Sequence, residues 1–256
     1  MMLKYWLLWA IIWIAPSVMA QHAADALFDP AEMAKVRTAL SKGHGDQIYT
    51  FVTAERLEYQ SNDGDSLTAW EGQGWIGGDE QKLWFKTEGE YENDEQGFEE
   101  VELQALYSRA IRPFWNLQMG LRHDFKPKPT RSYGVIGAQG LAPYWFELDG
   151  QLFLSEKGDL SLRLEAEYDF RLTQRLLLQP RIELNAAFSE DEDIEQGSGL
   201  STADVGLRLR YEIIRQFAPY VGVSWSRAFG DTADFVREDG GSRSQTSWVA
   251  GIRFWF

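Results

Sequence analysis

Residues 160–172 read LSLRLEAEYDFRL. Leu160, Leu162, Leu164, Ala166, Tyr168, Phe170 and Leu172 share one parity, and Ser161, Arg163, Glu165, Glu167, Asp169 and Arg171 share the other. Successive side chains of a strand point to opposite faces, so this stretch is a strand with one apolar and one charged side. A helix of the same sequence would scatter the charges around its circumference.

The same grammar recurs along the chain. Twelve stretches alternate in this way, at about 48–59, 68–77, 83–91, 99–110, 115–125, 131–139, 143–154, 160–172, 175–188, 201–214, 217–229 and 246–256. Many exceed the usual five or six residues of soluble strands and have the length of a tilted bilayer crossing. The odd-numbered connections are mostly longer, such as SEDEDIEQGSGL and DTADFVREDGGSRSQT, and the even-numbered ones shorter, such as IRPF, TQ and RQ. Outer-membrane barrels show this asymmetry, with short periplasmic turns and longer outside loops. The expectation is an all-β transmembrane barrel of about twelve antiparallel strands over 48–256, with both of its ends periplasmic. A soluble β-sandwich is the rival fold, but it would lack the long/short alternation.

Parity also assigns the two faces. Leu117, Met119, Leu121, Phe146, Leu148, Leu152, Leu178, Ile182, Leu184, Val205, Leu207 and Leu209 fall toward lipid. Tyr91, Trp115, Tyr133, Tyr144, Tyr211 and Trp248 sit near segment ends, where aromatic girdles form. The opposite face is charged, from Lys86, Glu88 and Glu90 through Arg163, Glu165 and Glu167 to Arg253. A narrow barrel fills its interior with side chains, and charges there must pair or stay hydrated. Glu88, Glu102, Glu147, Asp149, Glu165 and Glu167 are candidates for a cation pathway or binding surface along it.

The first twenty residues, MMLKYWLLWAIIWIAPSVMA, combine Lys4, an apolar run and Val18-x-Ala20, the pattern of a cleaved secretory signal. Residues 21–47 then form a polar periplasmic segment, with PAEMAKVRTALSK as a short helix. The formal charge of −14 repels nucleic acid. The chain has no cysteine, which excludes disulfides, thiolate metal sites and a cysteine nucleophile.

Other motifs yield less. GQGWIGG matches a dinucleotide fingerprint in letters, but it lies within a strand-like stretch and another strand follows. The acidic run Glu190, Asp191, Glu192, Asp193 and Glu195 has no EF-hand spacing and reads as a solvated loop. His22, Met33 and His44 precede the barrel and are donors suited to copper. His123 falls on the lipid face near a strand end with no serine two residues away, so an outer-membrane hydrolase is not expected.

With these residues read, the chain resembles the copper resistance protein B family of outer-membrane proteins. The stretches that carry the likeness are GGDEQKLWFKTEGE, ALYSRAIRPFW, GAQGLAPYWFELDGQLFLSEKGDLSLRLEAEYDFRLTQRLLLQPRIELN, GSGLS, LRLRYEIIRQFAPYVGV and GIRFWF, in that order. The resemblance implies an outer-membrane role in copper homeostasis and tolerance, with copper ions as bound or transported ligand and no catalysis. It adds a periplasmic copper oxidase to the candidate partners, beside membrane lipid and the outer-membrane assembly machinery. Family members commonly carry a Met/His-rich segment with MDH-like repeats before the barrel. Here that segment holds only His22, Met33 and His44, without repeats. A narrow general pore or structural barrel without specific copper binding is the alternative. The closing stretch WVAGIRFWF puts Trp248, Ala250, Ile252, Phe254 and Phe256 toward lipid and resembles the terminal signal read by the assembly machinery.

Overall fold

The computed structural model describes residues 23–44, 47–62, 65–94, 96–238 and 240–256. The expected signal peptide and His22 lie outside the described residues. Contacts divide the chain into a unit ending at Ile48 and a unit from Tyr49 to Phe256. In the first, a short 3-10 turn at Ala23–Ala26 precedes helix α1 (Pro30–His44). Proline suits the first helical turn because its missing N–H has no partner there anyway, and the Asp29 carboxylate accepts from Ala31 N at 2.9 Å. Arg37 reaches back to Asp25 at 2.6 Å.

The second unit is a closed antiparallel barrel. Its strands are β1 (Tyr49–Asn62), β2 (Asp65–Gly77), β3 (Gln81–Glu92), β4 (Gly97–Arg112), β5 (Trp115–Lys126) and β6 (Arg131–Ala142). They continue as β7 (Phe146–Ser155), β8 (Leu160–Glu167, resuming at Phe170–Arg171) and β9 (Leu176–Ala187). The last three are β10 (Gly199–Tyr211), β11 (Phe217–Ala228) and β12 (Ser244–Trp255). Each strand pairs with its neighbour in sequence, and β12 pairs with β1, so no edge is left open. At that seam Ser61 faces Trp248 and Thr53 faces Trp255. Val52 and Phe256 exchange two backbone hydrogen bonds of 2.9 and 3.2 Å.

The structure departs from simple alternation at several places, two of which shape the lumen. A bulge at Glu55–Arg56 breaks the register of β1 against both neighbours, so Thr53 and Glu58, of opposite parity, are both buried inside. Strand β8 lapses between Glu167 and Phe170, opposite Pro180 of β9. Proline has no N–H to give the ladder, although its carbonyl still accepts from Tyr168 N at 3.2 Å. The expected asymmetry of connections is narrower than the sequence suggests. The QSNDGDSL stretch is mostly strand, with Gln60 paired to Leu67 and Asn62 to Asp65. The long outer connections are 188–198, and 229–243 with helix α2 (Gly230–Glu238). Because outer-membrane barrels keep their short turns on the periplasmic side, the opposite end, which carries the barrel's first and last residues, is periplasmic.

Outward-facing side chains include exposed Met119, Leu121, Ile136, Leu152, Ile182, Leu207, Leu209 and Val221, which form the lipid-facing belt. Inside, Trp84, Leu106, Tyr133, Val135 and Phe153 pack into an apolar cluster joined by Trp75. This cluster fills one side of the bore and leaves polar groups to line the rest. The GQGWIGG glycines lie in β2, which leads directly into β3, so no strand-to-helix turn exists for a dinucleotide.

Candidate functional site

Strand register sets carboxylates side by side around the lumen. On one wall Glu71, Glu88, Glu102 and Asp124 are direct cross-strand neighbours from β2 to β5. On the other wall Asp149, Glu165, Glu183 and Asp204 are neighbours from β7 to β10. Adjacent strands lie about 4.8 Å apart, and like charges placed directly opposite repel. Two such rows stand only because cations are driven between them.

Those cations are arginines, with Lys86 on Asp149. Arg163 of β8 reaches Glu88 at 2.9 Å, Glu102 at 3.1 Å and Glu183 at 3.5 Å. Arg181 of β9 binds Glu165 at 2.5 Å, Glu183 at 2.7 Å and Glu71 at 3.4 Å. Both therefore tie the two rows together across the bore. Arg56 adds Glu71 at 2.7 Å and Glu88 at 3.0 Å, and Arg122 adds Asp124 at 2.7 Å and Glu102 at 2.8 Å. Arg208 holds the buried Glu58 at 2.7 and 3.0 Å. The bulge at Glu55–Arg56 lets two successive residues serve the lumen: Arg56 joins this network while Glu55 pairs with Arg253 at 2.6 Å.

The network is a septum between two cavities. One, of about 390 Å³, lies toward the periplasmic end and is lined by Glu55, Glu147, Asp149, Glu165 and Glu167 among amide side chains such as Gln73, Asn116 and Gln139. The other, of about 430 Å³, lies toward the outside and is lined by Glu90, Glu100 and Asp204 among Ser161, Thr202 and Ser224. Both touch Arg56, Glu88, Arg163, Arg181 and Arg208, where they meet.

The structure places the expected lumen carboxylates in two groups. Glu88 and Glu102 are paired neighbours in the septum. Glu147 faces Glu167, and Asp149 faces Glu165, on β7 and β8 in the periplasmic cavity. Lys86 binds Asp149, whereas the cation beside Glu167 is Arg253, 3.9 Å away. Among the described residues no group of three or more acidic or histidine side chains is arranged to hold a metal ion. Met33 is half-buried on α1, and His44 is the last residue of that helix. Eleven positions of helix separate them by about 16 Å, so α1 does not bring them together.

Arg56 and Glu58 escape the sequence pattern because the bulge hides the parity of β1, and Glu71 escapes it because Gly72 and Gly74 leave β2 without a continuous apolar face. Ser132, which the β5–β6 register sets opposite His123, escapes it too. His123 Nδ1 lies 2.9 Å from Ser132 Oγ, and the ring packs edge-on against Phe125. Both residues face outward from a wall whose backbone groups are spent in the ladder, so the pair has no backbone N–H groups to stabilise an oxyanion.

The copper resistance protein B precursor family matches residues 48–256. Copper resistance protein B of Escherichia coli is 43% identical over 213 residues, spanning 83% of this chain and 71% of the relative. A copper resistance protein B homolog of Pseudomonas syringae pv. tomato is 44% identical over 229 residues, spanning 88% and 77%. Among solved structures, the NanC porin superposes with a TM-score of 0.52 at 14% identity, covering 80% of this chain and 99% of the porin. The KdgM porin solved with disordered oligogalacturonate gives 0.50 at 10% identity, covering 80% and 98%. At these identities the porins share the fold.

Proposed function

Since the chain belongs to the copper resistance protein B family, a family of Gram-negative outer-membrane proteins and not of enzymes, we propose that its barrel binds or passes copper ions through the carboxylate-lined lumen. The observation that carries this reading is the pair of carboxylate rows. Placing like charges on neighbouring strands costs stability, and a merely structural interior would be cheaper with amides. Oxygen-rich walls lower the free energy of a cation inside the bore, as acidic rings do in cation channels. Glu147 and Glu167 are the best-placed candidates, because they face each other in the periplasmic cavity with Arg253 at 3.9 Å from one of them. Asp149, Glu165, Glu88 and Glu102 are candidates whose carboxylates are shared with lysine or arginine.

The segment before the barrel has a smaller part in the proposal. His22, Met33 and His44 are copper donors by chemistry, but the spacing of Met33 and His44 on α1 asks for partners from elsewhere. A periplasmic copper oxidase as partner, and assembly by the outer-membrane machinery through the Phe256 end, belong to the same proposal and rest on the family and on the terminal strand.

A second reading, a structural or general barrel without specific copper binding, is favoured by the septum, in which ion pairs already occupy most carboxylates. A deletion strain separates the two. Loss of the gene should lower copper tolerance and change cell-associated copper, and a Glu147→Gln/Glu167→Gln copy should restore neither. Full restoration by that copy would favour the second reading.

A further inference from the structure

The acidic loop 188–198 is not the solvated strand connection its composition suggests. Asp191 is buried, and its carboxylate accepts from Arg131 of β6 at 3.1 to 3.3 Å and from Lys157 of the 156–159 turn at 3.2 Å. Arg131 is also buried and donates to Asp193 at 3.2 Å, while Lys157 binds Asp193 at 2.5 Å. The loop leaves β9 and returns to β10, yet these contacts anchor it at β6 and at the β7–β8 turn. It therefore leans over that hairpin. Ser189 Oγ donates to Asp159 of the same turn at 2.7 Å.

The loop's other side is fixed as well. Gly197 N donates to Thr232 Oγ1 of α2 at 2.9 Å. A Cβ on Gly197 would lie 2.4 Å from Thr232 N, so the two backbones touch where only glycine fits. Between the anchors, the loop turns on itself through the Asp191–Gln196 bridge, and Ile194, Glu195, Gln196 and Thr232 line the outer cavity.

From this geometry we infer that loop 188–198 is a lid on the outer cavity, latched to the barrel wall by Asp191 with Arg131 and Lys157 and to α2 by the Gly197–Thr232 contact. The lid restricts what enters the cavity from outside. The inference concerns access alone and does not depend on copper being the cargo.

The absence of cysteine makes the test clean. A reporter thiol is placed under the lid as Ser224→Cys, at a cavity-lining position, and a control thiol as Ser242→Cys, on the exposed 229–243 connection. The purified barrel is treated with a cationic methanethiosulfonate, and modification is timed by mass spectrometry. In the otherwise native barrel the reporter should react at least tenfold more slowly than the control. Asp191→Asn should raise the reporter rate at least tenfold and leave the control unchanged. Gly197→Ala, which pries the loop from α2 without touching an ion pair, should also raise it. Heat-modified gel mobility confirms that each variant is a folded barrel. A reporter that reacts as fast as the control in the native barrel, or rates unmoved by both loop variants, would overturn the lid.

Discussion

Arg163 offers the sharpest test of how the lumen is held. Its guanidinium lies 2.9 Å from Glu88, 3.1 Å from Glu102 and 3.5 Å from Glu183, and is largely buried. At an effective dielectric constant near 20, one charge pair at 3 Å is worth roughly 5 kcal/mol before desolvation. Replacing Arg163 by methionine keeps an unbranched stem of similar length but takes one cation from each of three carboxylates. Glu88 keeps Arg56, Glu102 keeps Arg122 and Glu183 keeps Arg181, so the net loss should resemble that of a broken buried pair, about 3–5 kcal/mol. Adding Glu88→Gln removes one of the charges left in excess and should recover roughly 1–2 kcal/mol, a coupling typical of side chains in one network. The assay is urea unfolding of the barrel in lipid vesicles, followed by tryptophan fluorescence. A shift of less than about 1 kcal/mol for Arg163→Met, or a Glu88→Gln cost that is the same with and without Arg163, would mean that Arg163 does not hold the two rows together.

Three further outcomes follow from local structure. Phe114 closes the β4–β5 hairpin at φ 67, after Pro113, where a type II turn calls for glycine. Phe114→Gly should relieve about 1–2 kcal/mol of left-handed strain, partly offset by glycine's extra freedom when unfolded, so the urea midpoint should hold or rise; a clear fall would show that the ring is worth more than the turn. Asp193 is held below the ordinary carboxylate range by the hydrogen bond from Lys157. A lowered folded value contributes stability above the unfolded pKa, near pH 4, and loses it as pH falls through the folded value; a nitroxide at Glu190→Cys should thus keep its EPR line shape from pH 7 to 5 and sharpen only below about pH 4, whereas sharpening above pH 5 would contradict the assignment. Deleting Phe256 removes both backbone hydrogen bonds to Val52 and should lower the amount of barrel in the outer membrane on immunoblots, while unchanged levels would remove the assembly role of the last residue.

What the amino-acid sequence makes legible here is parity. In Leu160–Leu172 alternation alone assigns Arg163, Glu165 and Glu167 to the lumen, and the closed ring of strands places them there. Parity fails where the backbone adds or drops a residue. The bulge at Glu55–Arg56 flips the faces of β1 and so conceals Glu58, and Pro180 interrupts the ladder opposite Tyr168. It is also silent on partners. Arg163 meets Glu88 and Glu102 five and four strands away around the ring, a distance set by barrel diameter and strand tilt, which no local pattern encodes. Loop composition misleads for the same reason: Asp191 sits in a run of solvent-loving residues, but a buried arginine on β6 decides its fate.

Copper binding by the barrel alone decides whether the lumen holds a copper site. Calorimetric titration of copper ions should be run on a version beginning at Gln21, on one beginning at Ile48, and on the Glu147→Gln/Glu167→Gln variant of the shorter version. The version beginning at Ile48 should bind copper saturably, and its variant at least tenfold more weakly. Binding by the version beginning at Gln21 alone, or an affinity indifferent to Glu147 and Glu167, would contradict a copper site in the lumen.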